Sequence, residues 1–402
     1  MSKDTNVPRI RFKGFTNAWE RHRVGDIGKI IMGQSPNSKN YTTDSSYYVL
    51  VQGKADIKNN KICPRVWTKQ VTKLAKTNDI LFTVRAPVGE VYKASLDVVI
   101  GRGMASIKAN NFIFQRLKLL NQTNYWSRIS SGSTFESISS KELENTEIKI
   151  TTIKEQKEIS YLLESVDILL TLQERKLKLY KQLKKYLLQK MFANEQEKAP
   201  QIRFKGFEED WKKKKLGEIM EVSSVKRVHQ SDWTNKGVRF FRARDIVSIS
   251  KHIEPSEKIY IPFELYNKLS KISGKVKLGD LIVTGVGSIG IPLLIRDTNP
   301  IYFKDGNIIW FKNSGKIFGE FFYYSFIGNS IQKYIHISSG SGTVVTYTIN
   351  SGKITPIRLP KYEEQVKVGS TLKRINENIN FNMNKNKFFK QLKQYLLQNL
   401  FC

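Results

Sequence analysis

IRFKGFTNAW, Ile10–Trp19, returns almost letter for letter as IRFKGFEEDW, Ile202–Trp211, at a register offset of 192. Self-similarity at a fixed spacing defines the units of a fold before any single element does. Further matches follow in the same order. DILFTVRAPVG, Asp79–Gly89, parallels DLIVTGVGSIG, Asp280–Gly290, at an offset of 201. SSGSTFESISSKELENTEIKI, from Ser130, parallels SGSGTVVTYTINSGKITPIRL, from Ser339, and from Thr134 and Thr343 onward the offset is 209. KQLKKYLLQKMF, ending at Phe192, pairs with KQLKQYLLQNLF, ending at Phe401. The growing offset means that the second unit carries loop insertions while the order of its elements is kept.

The chain's 402 residues suffice for two domains of about 150–200 residues each, and an apolar fraction of 40% can give each a core. Its 67 Lys and Arg against 36 Asp and Glu leave a net charge of +31, spread along the chain. Such a field attracts a polyanion, either nucleic acid or an anionic membrane surface. A membrane role lacks an anchor, because no run of about 18 apolar residues occurs and MSKDTNVPRIRFKG is polar from the start. Cys63 and Cys402 are too few and too far apart for a disulfide framework or a metal site, and a cytoplasmic location is expected.

Each unit changes character once. From Val24 to about Ile150, short β-prone runs such as YYVLVQG, DILFTV, VYKASLDVVI and ASIKANNFIF alternate with Gly, Asn and Ser. The copy has VRFFRARDIVSI, DLIVTGV, IPLLIRD and NIIWFKN, and short helices are expected at FQRLKLL and EFFYYSFI. After Glu155 the period becomes helical. Ile159, Leu162, Leu163, Val166, Leu169, Leu170, Leu177, Leu183, Leu187 and Met191 form a stripe, and no Pro or Gly interrupts Gln156 to Phe192. At 1.5 Å per residue this helix is about 55 Å long. The copy, Glu363 to Phe401, carries Val366, Val368, Leu372, Ile375, Ile379, Phe388, Phe389, Leu392 and Leu396. Gly369 and a run of asparagines weaken its first half, which is expected to fray without a partner.

A stripe of this length asks for an equally long partner. The two helices are therefore expected to pair antiparallel through Leu163, Val166, Leu170, Leu183, Leu187, Leu372, Ile375, Ile379, Leu392 and Leu396. The competing arrangement packs each helix on its own domain alone. The predicted class is α+β: two mixed, mostly β domains separated by two long antiparallel helices, with an internal pseudo-two-fold repeat. Its segments are 1–155, a first mixed domain; 156–199, the first long helix and a linker; 200–361, a second mixed domain; and 362–402, the second long helix.

Groups able to do chemistry are missing. His22, His229, His252 and His336 have no neighbours at metal-ligand spacing, and no HExxH, Walker A lysine or Cys cluster occurs, so neither a catalytic residue nor a metal site is expected. Gly285–Gly290 fits GxGxxG, but a dinucleotide site needs a helix starting within the motif, whereas here β-like IPLLIRD follows. A tight turn is expected instead, with Gly89 and Gly290 supplying the backbone freedom.

Two like domains held apart by a spacer can grip two separated stretches of a duplex, and about 55 Å corresponds to roughly 16 base pairs. Candidates for DNA contact are Arg85, Arg102, Lys108, Arg242, Arg244 and Lys304. Two rival readings stand beside this one, and the first keeps the basic architecture. One is an RNA-binding protein stacking bases on Phe241, Tyr324 or Trp310, although a core position is the ordinary reading of these residues. The other, from a different class, is a membrane-surface or structural scaffold protein.

The whole chain resembles the specificity subunit of a type I restriction and modification system. The likeness rests on Phe12-Lys13-Gly14-Phe15 with Trp19, Phe204-Lys205-Gly206-Phe207 with Trp211, and the Asp79-Ile80-Leu81 and Asp280-Leu281-Ile282 strands with their closing glycines. It rests also on the Gly132–Thr134 run, the Glu155-Gln156 and Glu364-Gln365 pairs and the Leu-Leu-Gln endings. The resemblance implies two target recognition domains reading the halves of a bipartite DNA sequence, with helices that act as ruler and as docking surface for two modification subunits. It implies adenine methylation with S-adenosylmethionine held by those partners, and ATP- and Mg-dependent cleavage once two restriction subunits join. The chain itself would hold no cofactor and have no catalytic residue. One departure is that Val286 stands where the first unit has Arg85.

Overall fold

The computed structural model describes residues 6–130, 136–313, 315–339 and 345–402, so the Gly132–Thr134 run and most of its copy lie outside the described residues. The chain divides into two compact units, residues 1–174 with 384–402, and residues 175–383. The division runs through both long helices, Ile153–Lys190 and Tyr362–Asn399. Each unit thus contains the start of one and the end of the other, and each is described by itself.

The first unit holds a four-stranded antiparallel sheet in the order Val91–Lys93, Ile80–Thr83, Met104–Lys108, Lys29–Met32. A second sheet pairs Val98–Ile100 with Tyr48–Val51 in parallel. In the second unit Pro292–Leu294, Leu281–Thr284, Ile308–Lys312 and Glu221–Ser223 repeat the four-stranded order, and Ile301–Phe303 runs parallel to Val238–Phe241. Between matching strands the second unit has the helix Ala243–Ser250 where the first has the hairpin of Ile57–Lys58 and Lys61–Ile62, and it adds the helix Phe263–Ser273 before Leu281–Thr284.

Two expected strands are in fact cut short by helices. NFIF belongs to a helix, Asn111–Gln122, because the Asn110 side chain accepts from the Ile113 amide and caps it. RARDIVSI turns helical after Phe241, where Asp245 accepts from the Arg242 amide at 2.9 Å. FQRLKLL and EFFYYSFI are helical as expected.

The opening motif is a clamp. In the first unit the Arg11 guanidinium donates to both Glu155 oxygens, at 2.7 and 2.8 Å, and to the Asn17 carbonyl. Glu155 lies in the first turn of its helix, where a negative charge also complements the helix dipole. The Ile10 amide donates to the carbonyl of Asn399, the last residue of the other long helix. Trp19, Phe112 and Phe401 then close an aromatic triad with centroids 5.0–6.1 Å apart. The second unit repeats every contact. Arg203 holds Glu364 at 2.7 and 2.9 Å, the Ile202 amide donates to Lys190, and Trp211, Phe321 and Phe192 form the triad at 5.4–6.3 Å. The Glu-Gln pairs complete the clamp: Gln156 accepts from the Asn110 side chain and Gln365 from the Phe318 amide.

In each unit, then, helix start and helix end are pinned together and pack antiparallel. Ile159 and Leu163 share a core with Leu397 and Phe401, and Val368 and Leu372 share one with Leu187 and Phe192. Val166, Ile375 and Ile379 are buried, while Leu170, Leu187, Leu392 and Leu396 are half-buried. Leu183 departs from the pairing expectation. It is 42% exposed and belongs to neither unit's apolar core. The second helix runs without a break through Gly369. A Cβ at Gly369 would lie 2.6 Å from the Phe321 nitrogen, so the glycine lets helix and domain approach closely.

Burial pushes the Glu155 carboxyl up, but the bonds from Arg11 and Thr151 outweigh it and hold the group below its usual range. The clamp therefore stabilises fully above the ordinary glutamate pKa and loses its contribution as pH falls through the depressed value. Arg11→Ala strands a carboxylate whose side chain is 0% exposed, and at neutral pH it is expected to cost about 3–5 kcal/mol. Urea unfolding at neutral and acidic pH checks this, and the penalty should shrink at acidic pH, where Glu155 can take up a proton.

Candidate nucleic-acid interface

Strand ends and the turns between them build one polar face in each unit. In the first, the turn after Ile80–Thr83 carries Arg85, and the turn Gly101–Gly103 carries Arg102. The Val84 amide donates to the Gly103 carbonyl at 3.0 Å, which joins the two turns. Small residues allow this approach: a Cβ at Gly33 would lie 2.1 Å from the Gly101 carbonyl oxygen, and one at Gly103 would lie 2.2 Å from that of Gln52. The Arg102 amide takes Ser35 Oγ at 3.2 Å, and the Gln52 amide group donates to the Tyr41 hydroxyl at 2.7 Å. Arg85 and Arg102 are exposed, and among the described residues neither has a carboxylate partner. Their guanidiniums, with Gln34, Ser35 and Gln52 beside them, can donate to base edges and phosphates.

Both glycine turns have the expected form. Gly89 and Gly290 adopt φ of +86° and +73°, and each amide donates back to a threonine carbonyl, that of Thr83 or Thr284. A Cβ on Gly89 would lie 2.3 Å from the Trp126 ring. The GxGxxG stretch thus links strand to strand, with no helix to receive a pyrophosphate. Arg85 bridges to Ser137 and Val286 to Thr346, so the two turns are structural equivalents with different chemistry. Around Val286 the second unit offers the neutral groups of Ser224, Thr346, Thr348 and Asn350.

The other basic candidates divide. Lys108 is exposed at a strand end. Arg242 ends the strand matching that of Gln52, but its guanidinium is taken by Asp245 at 3.0 Å and Glu257 at 2.9 Å, which ties it into the domain. Arg244 is 67% exposed and shares Glu257, and Lys304 lies 3.4 Å from Asp305. Arg227, which the sequence did not single out, also reaches Asp305 while staying exposed. Trp310 and Tyr324 are buried, and Phe241 packs on the core beneath the Arg239 guanidinium, so none of the three is an open platform for bases. Among the described residues no His, Cys, Asp or Glu group could hold a metal, and no helix is long and apolar enough to cross a membrane.

Fold and site define a class: a chain of two like β-rich domains, each offering a polar strand-end face and each drawing on both long helices. It belongs to the type I restriction modification DNA specificity domain family, whose model matches residues 17–182 and 208–390. The type I restriction enzyme MjaVIII specificity subunit of Methanocaldococcus jannaschii is 23% identical over 395 residues, 93% of this chain and 89% of that one. A protein provisionally named as the MjaX specificity subunit of the same organism is 33% identical over 178 residues. That match covers 42% of this chain and 41% of the relative, less than half of its length. The crystal structure of a type I restriction-modification S subunit from M. genitalium shares the fold at a TM-score of 0.66, with 17% identity, 98% of this chain and 99% of that chain covered.

Replacing Arg85 or Arg102 by alanine is expected to cost about 1–3 kcal/mol of specific DNA binding and to relax the sequence preference at one position. Arg242→Ala should instead lower the melting temperature, since it leaves buried Asp245 unpaired. Binding selections and thermal melts on the three variants separate the roles.

Proposed function

We propose that the chain is the DNA-reading specificity subunit of a type I restriction-modification complex. Its two domains read the halves of a bipartite target, and partner subunits carry out adenine methylation and ATP-dependent cleavage. The observation that carries this reading is the duplicated strand-end face, equivalent in backbone and different in side chains. Equal scaffolds give each half-site the same approach, while Arg85 against Val286 lets the halves differ in sequence. S-adenosylmethionine, ATP and Mg2+ belong to the partners, and the purified chain alone is expected neither to methylate nor to cleave DNA. Deleting the gene and reading the adenine methylome should remove one bipartite motif; an unchanged methylome would refute the reading.

Two modification subunits dock on the long helices. Leu172, Leu179 and Tyr186 recur at intervals of seven on the first, and Phe381, Phe388 and Tyr395 occupy the matching positions of the second; all are half exposed or more. Seven-residue spacing places such groups along one face, the form of a helix seam awaiting a partner. Leu172→Glu with Leu179→Glu should abolish co-purification with the modification subunit. The chain's own stability should shift by less than about 0.5 kcal/mol per site.

The helices also set the gap between half-sites. Duplicating Lys176–Leu179, with a matching four-residue insertion after Asn384, adds about 6 Å and turns the helix by roughly 40° beyond whole turns. That is nearly two base pairs of rise. The methylated motif of the assembled variant is expected to keep both half-sites and widen its gap by one or two base pairs; an unchanged gap would rule out the ruler.

A further inference from the structure

The repeat supplies its own control for the charges on the long helices. At an offset of 209, Lys181 and Lys184 of the first helix match Lys390 and Lys393 of the second, while Asp167 and Glu174 match Asn376 and Met383. Within the first unit the lysines are neutralised. Lys390 pairs with Glu174 at 3.0 Å, and Lys393 pairs with Asp167, which also accepts from Gln115. Within the second unit both acids are gone. Lys184 donates to the amide oxygen of Asn376 at 2.6 Å, and no carboxylate among the described residues lies within ion-pair distance of Lys181, Lys184, Lys185 or Lys251.

These residues line one groove, together with His252 and Asn329. Lys251 and His252 follow the helix Ala243–Ser250, and they bring positive charge to the place where the helix pair has lost negative charge. Nearby acids are engaged elsewhere: Glu320 holds Arg296 at 2.8 Å, and exposed Glu377 lies 4.0 Å from Lys373. Lys184 sits over the Tyr324 ring, and burial with the charge of Arg296 holds its ammonium below the usual lysine range. An arriving anion would offset that desolvation. No arginine lines the groove, so it offers point charges without the planar fork that reads a guanine edge or clasps a single carboxylate. Lys181 and Lys185 stand one turn apart, spreading the charge over about 6 Å.

We propose that this groove holds the sugar-phosphate backbone of the bound duplex at a place where no base is read. The inference rests on the DNA-reading function and adds a sequence-independent contact confined to the second unit. Backbone contacts of this kind fix position and release counterions, and each one contributes about 0.9 to the slope of log affinity against log salt.

The test transplants the first unit's acids. Asn376→Asp with Met383→Glu recreates pairs that the fold already accommodates, and should lower the salt slope for a random-sequence duplex by about two. Lys181→Gln with Lys185→Gln and Lys251→Gln should lower it by about three, adding no acid. Lys390→Gln, whose lysine is already paired, should leave the slope as it is. All are measured as the full chain assembled with its modification subunits, and the methylated motif should stay the same in each. Unchanged slopes in the acid-transplant and triple-glutamine variants, with motif-specific methylation intact, overturn the groove and leave the DNA-reading function standing. Loss of assembly with the slope retained also overturns it, since the surface would then face a protein. A wild-type assembly that methylates no specific motif overturns the function itself.

Discussion

The buried ion pair between a motif arginine and the first-turn glutamate of a long helix is what the rest of the architecture depends on. Arg11 with Glu155 and Arg203 with Glu364 each join three chain segments, because the same motif also takes the last carbonyl of the opposite helix and sets its tryptophan edge-on to the phenylalanine just past that helix's end. Net stabilisation from such a pair is modest, since desolvation offsets much of the Coulomb gain. Its value lies in geometry. Leaving either charge unpaired is expensive, so helix start, helix end and motif are held in one relative position. That is why a short segment is spelled out twice: each copy does the same joining task in its own unit.

Rigid joining frees the strand ends to vary. The hydrogen bonds that shape the turns are duplicated, down to a threonine that closes each turn and an aspartate that bonds the amide three residues before it, Asp79 to Lys76 and Asp280 to Lys277. The side chains these backbones present are not duplicated. Gln52 and Arg242 end matching strands, yet one points its amide to a tyrosine hydroxyl and the other is locked by two acids. Reading one sequence in each half requires such divergence upon a backbone that does not change.

The repeat, the long helices and the glycine turns were legible because each rests on a long or local pattern. Helix bounds came within three residues, since apolar periodicity over about ten turns outweighs any single residue. Shorter elements were not. NFIF and RDIVSI are apolar runs that suit strand or helix equally, and the deciding caps, Asn110 and Asp245, are ordinary residues until their partners are known. The commitment of Arg242 to Glu257 joins positions fifteen apart through a loop, and no periodicity reports it. Gly369 looked like a weakness because propensity scales count its entropy and do not see the Phe318 and Phe321 atoms packed against it.

Exposure along the helices shows how duplication can be put to unequal use. The apolar positions matching Leu172, Leu179 and Tyr186 are kept in both copies, as a surface for two equivalent partners would require. The charged positions are not kept: two acids in one copy stand as an amide and a thioether in the other. An ion pair across a helix seam holds that seam but cancels its own field, so a chain that needs both rigidity and attraction for phosphate cannot obtain both from one pair. Here the first unit keeps the pairs. The second leaves its seam to Lys184 and Asn376, with Ile375 and Ile379 buried beside them, and retains the uncompensated charge.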